Sequence, residues 1–174
     1  NNVLEISDKR SKFWWNNRRF NSNRNITFNI AMPMIDNIKL SAASKASITM
    51  SETLSLDARL SSSSRMDYYG NINNLDIRMS SAAKAKINGS IYSSDIDMSS
   101  AAELVLIGEG NSIKAEMSSA ASLDAKEFPC NTIWLDLSSA SDAHVQSTEI
   151  INLDLSSGSD AYHYGESNIG EINI

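Results

Sequence analysis

One short motif recurs along this chain at an almost constant interval, and the repeat limits the possible folds more than any other feature. Each copy has an apolar residue immediately before a serine-rich segment. The seven apolar residues are Leu40, Leu60, Met79, Met98, Met117, Leu137 and Leu155, at steps of 20, 19, 19, 19, 20 and 18 residues. Such regular spacing is typical of stacked units that each contact only their neighbours.

The residues around each serine segment have the two-residue period of β-strands. In the third copy Leu75, Ile77 and Met79 alternate with two polar residues, which predicts a strand with one buried face. Apolar residues two apart also follow the serines; these pairs are Ala46 and Ile48, Met66 and Tyr68, Ala85 and Ile87, Leu104 and Leu106, Ala143 and Val145. Glycine- and asparagine-rich turns separate the copies. Each unit is therefore predicted as strand, serine corner, strand and turn.

Stacking these units predicts an all-β fold, a right-handed parallel β-helix (β-solenoid) of about seven turns of roughly 19 residues. A leucine-rich-repeat-like alternative, with a helix starting at each serine corner, is disfavoured because the following apolar residues lie two apart. We expect one domain over residues 1–174. It would comprise N-terminal strands and a hairpin cap at 1–34, repeats at 35–167 and a C-terminal cap at 168–174.

A column of small residues is predicted beside the core. It comprises Ala43, Ser63, Ala82, Ala101, Ala120, Ala140 and Gly158. The uniform small size suggests that the backbone approaches the opposite wall at this corner, so that a leucine there would overpack the interior.

Charges are sorted along the predicted stack. The residues before the corner are Lys39, Arg59, Arg78, Asp97, Glu116, Asp136 and Asp154. Those after it are Lys45, Arg65, Lys84, Glu103, Ser122, Asp142 and Asp160. Both series change from basic to acidic between the third and fourth turns. The sequence alone favours interpreting this asymmetry as an ordinary solvated surface; the alternative is that it steers head-to-tail self-association or the binding of a bipolar partner.

The segment 13–20, ahead of the repeats, is predicted to form a hairpin about two asparagines. Pairing across it would place Trp15 beside Arg18 and Trp14 beside Arg19, with room for cation–π contacts. These four residues are the candidate ligand-binding residues, in a locally basic segment suited to glycans or polyanions. The alternative is that the hairpin only caps the end of the solenoid.

Composition excludes several function classes. The formal charge of −6 argues against nucleic-acid binding, and no apolar stretch approaches the roughly 20 residues of a membrane-spanning helix. The single cysteine, Cys130, is expected to be a buried structural thiol. His144 and His163 are expected to occupy adjacent and not equivalent positions of successive coils, so that they do not stack on each other. Neither belongs to a group of residues typical of a catalytic or metal-binding site. We therefore expect no catalytic residue, metal or cofactor, and no signal peptide is visible.

The order of these segments resembles the head domain of auto-transporter adhesins, the GIN domain, which is common in Bacteroidetes. The resemblance rests on residues 26–33 and 38–44, and on the recurring segments 135–143 and 153–161. It implies a parallel β-helix on an exported protein of the cell surface or periplasm, with a role in adhesion, and it supplies no catalytic residue. We expect a non-catalytic module whose partner is a glycan or another surface protein. The alternative is a polysaccharide-active β-helix enzyme, a lyase or glycosidase, which should carry long loops around a groove.

Overall fold

The computed structural model describes residues 34–174, which form a single nine-stranded sheet. The candidate hairpin with Trp14, Trp15, Arg18 and Arg19 lies outside the described residues. The strands are β1 Asn37–Leu40, β2 Lys45–Leu60, β3 Arg65–Met79, β4 Lys84–Met98, β5 Glu103–Met117, β6 Ser122–Leu137, β7 Asp142–Leu155, β8 Asp160–Tyr164 and β9 Asn168–Asn173.

Every strand pairs in parallel with the equivalent strand of the next coil, in the order β1 to β8, while β9 also pairs with β7. The register matches the repeat: Leu60 lies beside Met79, and Met79 beside Met98. No helix occurs in the described part of the chain. The predicted β-solenoid of about seven turns is therefore confirmed and the helical alternative is wrong; the right-handed sense of the coil stays a prediction.

Stacked apolar columns fill the interior. The residues before the corners are buried from Leu60 to Leu137, and in the second coil the predicted second strand buries both Met66 and Tyr68 completely. The phenol of Tyr68 is paired with the Thr53 hydroxyl at 2.9 Å, so its polar atom is satisfied. Burial of each large side chain contributes on the order of 1.5–3 kcal/mol. The core therefore holds successive coils together.

Each serine corner is a four-residue turn in which two adjacent residues adopt a left-handed conformation. In the fourth coil Ser100 and Ala101 have φ of 54° and 58°, and the Ala102 amide donates to the Ser99 carbonyl at 3.2 Å. Positive φ at both central residues is the pattern of a type I′ turn. The Ala101 amide donates onward to the Ser119 carbonyl at 3.0 Å, which ties each corner to the next.

The predicted packing of the small column beginning at Ala43 is wrong. Its members, including Ala82 and Ala101, are exposed and do not face an opposite wall. Their small size suits the left-handed backbone instead. The buried small residues come one position later, as at Ser64, Ala83 and Ala102.

Glycines mark a bend elsewhere in the coils. Gly70, Gly89 and Gly108 have φ between 130° and 155°, and a Cβ on Gly89 would clash with the Gly70 carbonyl oxygen. Backbone approaches backbone here, which only glycine permits.

Candidate functional site

The most distinctive surface follows the corners along the length of the solenoid. We name it the corner strip and define it as the exposed corner residues together with the two charged series that flank them. The series register coil by coil, since Arg59 pairs with Lys39 on one side and Arg78 on the other, and Arg78 pairs with Asp97. On the other flank Lys84 pairs with Arg65 and Glu103. The predicted order of charges is therefore present as two continuous columns.

The first three coils form the basic half of the strip. Lys39, Arg59 and Arg78 line a shallow groove, whose floor is formed by the corner serines and the adjoining apolar residues. Arg59 contacts Asp57 at 3.2 Å and Arg78 contacts Asp76 at 3.3 Å. The hydrogen bond to Asp57 and its charge raise the pKa of Arg59. Both arginines remain about half exposed and accessible to a further anion.

The later coils form the acidic half. At the boundary Lys84 contacts Glu103 at 2.6 Å, which joins the two halves within one column. Further along, Lys114 contacts Glu116 at 2.7 Å, and this contact raises the pKa of Lys114. Residues 99–174 contain two lysines, no arginine and twelve acidic residues, a formal charge of −10. The strip is therefore electrically polar along the solenoid axis.

The last coils contain a polar cluster that sequence reasoning did not identify. Val145 pairs with His163, and His144 with Tyr162, so the predicted offset of the two histidines is confirmed. His163 Nε2 lies 2.8 Å from Ser147 Oγ and 3.1 Å from Ser167 Oγ. The sequence indicates this cluster only through Ser167, a serine that follows Ser147 by 20 residues, about the length of one coil.

The serine–histidine pair in this cluster does not form a recognisable hydrolase site. Ser147 is completely buried, whereas a nucleophile must reach its substrate. Among the described residues no carboxylate is hydrogen-bonded to His163, so the orienting third group of a catalytic triad is missing from this cluster. We assign the pair to the packing of the last coils.

Aromatic side chains are exposed near the same end. The His144 ring stacks on Tyr162 with centroids 4.5 Å apart and an interplanar angle of 8°, and His144 Nδ1 lies 3.1 Å from the Tyr164 hydroxyl. Trp134 is 45% exposed between Lys114 and Asn152 of the adjacent coils. The sequence prediction considered only the N-terminal tryptophans and missed Trp134. Its equivalents in the adjacent coils are polar, which already indicated that this position is exposed.

Cys130 is a buried structural thiol, as predicted. It is completely buried, and its Sγ donates to the Thr132 carbonyl at 3.5 Å. Burial raises its pKa from 9.0 to about 11, so the reactive thiolate is scarce near neutral pH.

The described residues contain neither a metal-binding cluster nor a membrane-spanning helix. In residues 34–174 no three His, Cys, Asp or Glu side chains are grouped to hold a metal ion. The same residues contain no helix long and apolar enough to cross a membrane.

Comparison with known proteins identifies one family. The model described as "Putative auto-transporter adhesin, head GIN domain" matches residues 1–97 and again residues 90–167. No curated protein and no solved structure matches the chain significantly. The two matches meet near the middle of the solenoid, as expected if each covers several similar coils.

Proposed function

Because this chain belongs to the auto-transporter adhesin head (GIN) domain family, we propose that it is a non-catalytic binding module of an exported or cell-surface protein. Its role is adhesion or structural display. The observation that carries the proposal is the unbroken register of the seven corners: each is the same tight turn, so no long loop interrupts the corner strip. Such a surface presents side chains in fixed columns to a large partner.

The proposed ligands are glycans or another surface protein. The exposed rings of Tyr162 and Tyr164 support this choice, because they offer large rigid contact surfaces with little conformational entropy to lose. Trp14, Trp15, Arg18 and Arg19 remain the proposed N-terminal ligand-binding residues. Their combination of aromatic and cationic groups suits a sugar that carries an anionic substituent.

A polysaccharide lyase or glycosidase is the competing function. Retaining glycosidases need two carboxyl groups about 5 Å apart across the scissile bond, and a buried acid with a raised pKa. Asp95 and Asp97 have the required residue types, but both are exposed on one outer strand. Asp97 also lines the shallow groove beside Lys39, Arg59 and Arg78, but neither carboxylate is buried and no long loop of the described coils encloses them, which favours binding over turnover.

A glycan array combined with turnover assays on the bound glycans tests the proposal. We expect specific binding without new reducing ends or unsaturated products. The double variant Trp14→Ala/Trp15→Ala should lose at least tenfold in affinity, whereas the matched control Trp134→Ala should not. Product formation on any bound glycan would overturn the non-catalytic assignment, and absence of binding to glycans and to intact cells would overturn the binding role. Surface labelling of the native producing cells tests export.

A further inference from the structure

We propose that the corner strip is a self-recognition surface on which a second copy of this chain docks side by side, with the two solenoid axes antiparallel. The inference rests on the proposed function and deepens it, because it names the partner of the binding module as another copy. It is carried by the order of charges along the strip and by the shape of the corners.

The first charged column is self-complementary under one symmetry operation. Consider a two-fold axis perpendicular to the solenoid that passes between the third and fourth coils. Coil one then faces coil six, coil two faces coil five and coil three faces coil four. The facing pairs are Lys39 with Asp136, Arg59 with Glu116 and Arg78 with Asp97 of the second copy. All three match in one register because both copies repeat at about 4.8 Å.

The second column obeys the same rule. Lys45 faces Asp142 and Lys84 faces Glu103 of the second copy, while Arg65 faces the neutral Ser122. Within these two columns no like charges oppose each other over the six coils. The two-fold repeats every pair, so each attraction is present twice.

A parallel arrangement fails the same test. A two-fold axis along the solenoid places the first column of one copy against the second column of the other at equal height. Lys39 would then oppose Lys45, and Asp136 would oppose Asp142. Like charges in contact disfavour a complex, so the charge order selects the antiparallel arrangement.

The corners allow close approach without interference. Their central residues, such as Ser62 and Ser119, are exposed and small, so flanking charges of two copies can meet over the ridge. In the corner of coil two the Ser63 amide donates to the next corner and the Ser64 amide donates within the turn, so the ridge offers no free strand edge. Recognition therefore depends on side-chain charge.

The expected complex is weak and sensitive to salt. Six coils span about 29 Å, and a strip this narrow buries less than the roughly 1,200 Å² of a stable interface. Exposed ion pairs are individually weak and are screened by salt. Many copies on two facing surfaces would strengthen the contact through effective concentration, and antiparallel axes suit modules that project from opposing surfaces.

Sedimentation of the full chain at 50 mM and 500 mM NaCl tests self-association. We expect a concentration-dependent dimer at low salt whose Kd rises at least tenfold at high salt. Reversing either half of the first column should abolish it. The two reversals are K39E/R59E/R78E and D97K/E116K/D136K. A mixture of the two reversed proteins should dimerise again, because their columns are then oppositely charged.

The matched control makes the same change in net charge as D97K/E116K/D136K, but outside the strip. E52K/E109K/E149K replaces three exposed acids and should leave the dimer intact, with circular dichroism verifying that each variant is folded. A dimer that survives both reversals, or a mixture that fails to associate, would overturn the inference. So would a chain that stays monomeric while its basic half binds a sulfated glycan.

Cross-linking tests the orientation without altering any charge. Ser62 lies in coil two and Ser119 in coil five, which face each other only in the antiparallel complex. A mixture of Ser62→Cys and Ser119→Cys should form a mixed disulfide, while Ser62→Cys alone should not cross-link. Dimerisation of Ser62→Cys with itself would show parallel pairing and refute the arrangement. Glycan binding with no self-association would leave the proposed function standing and this inference rejected.

Discussion

Replacing an exposed corner alanine with glycine should stabilise this protein, although the same change in a strand normally destabilises it. Ala101 has φ of 58°, a left-handed conformation that costs an L-residue about 1–2 kcal/mol and glycine almost nothing. Glycine adds about 0.5–1 kcal/mol of backbone entropy to the unfolded chain. We therefore expect Ala101→Gly to raise the free energy of unfolding by about 0.5–1 kcal/mol.

The neighbouring Ala102 provides the matched control. It is completely buried and is absent from the residues with positive φ, so glycine there relieves no strain. Ala102→Gly should lose about 0.5–1 kcal/mol in backbone entropy and about 0.8 kcal/mol from the buried methyl group. The two variants should differ in stability by about 2 kcal/mol.

Urea unfolding followed by circular dichroism measures the difference. With a slope of about 2 kcal/mol per M, the midpoint should rise by about 0.3–0.5 M for Ala101→Gly and fall by about 0.7 M for Ala102→Gly. Ala82 and Ala120 lie two coils apart, about 10 Å, so glycine at both should add to about 1–2 kcal/mol. If Ala101→Gly destabilises as much as Ala102→Gly, the assignment of corner strain is refuted.

Three further predictions follow from the same coils. Gly89→Ala should lower the urea midpoint by more than 1 M, because its Cβ would meet the backbone of the coil before. Met98→Ala should lose about 2–5 kcal/mol in urea unfolding by leaving a cavity in the apolar column; a loss below 1 kcal/mol would contradict the packing. The raised pKa of Cys130, about 11, stabilises the fold below pH 9, and this contribution should disappear as pH rises through 11. Urea midpoints from pH 8 to 11 should therefore fall less steeply for Cys130→Val than for the natural chain.

The repeat made the coil and its register predictable, because parallel stacking places equivalent residues side by side. The charge columns follow directly from that register. The burial of the small residues at the corner was predicted wrongly, because residue size alone does not distinguish a buried position from an exposed left-handed one. Ala101 and Ala102 are the same residue type, and only their φ and burial separate them.

The last coils were less predictable for a related reason. Ser147, His163 and Ser167 do not repeat in the other coils, so the repeat assigns them a position but no partner. Their contacts depend on where the chain leaves β8 at Tyr164 and enters β9 at Asn168. Sequence periodicity is weakest at such an end, because a terminal coil has a neighbour on only one side.

The corner limits where this solenoid carries charge. Its two left-handed positions hold only Ala, Ser or Gly in all seven coils, and a bulky or branched side chain there would be strained, so the ridge is small and uncharged. The nearest outward positions are those before and after the turn, where side chains alternate outward without backbone strain. Cations and carboxylates at these two positions must form straight columns because the coils stack in register. A change of sign at one coil therefore divides the whole strip into two halves, and self-complementarity requires only that the halves be of similar length.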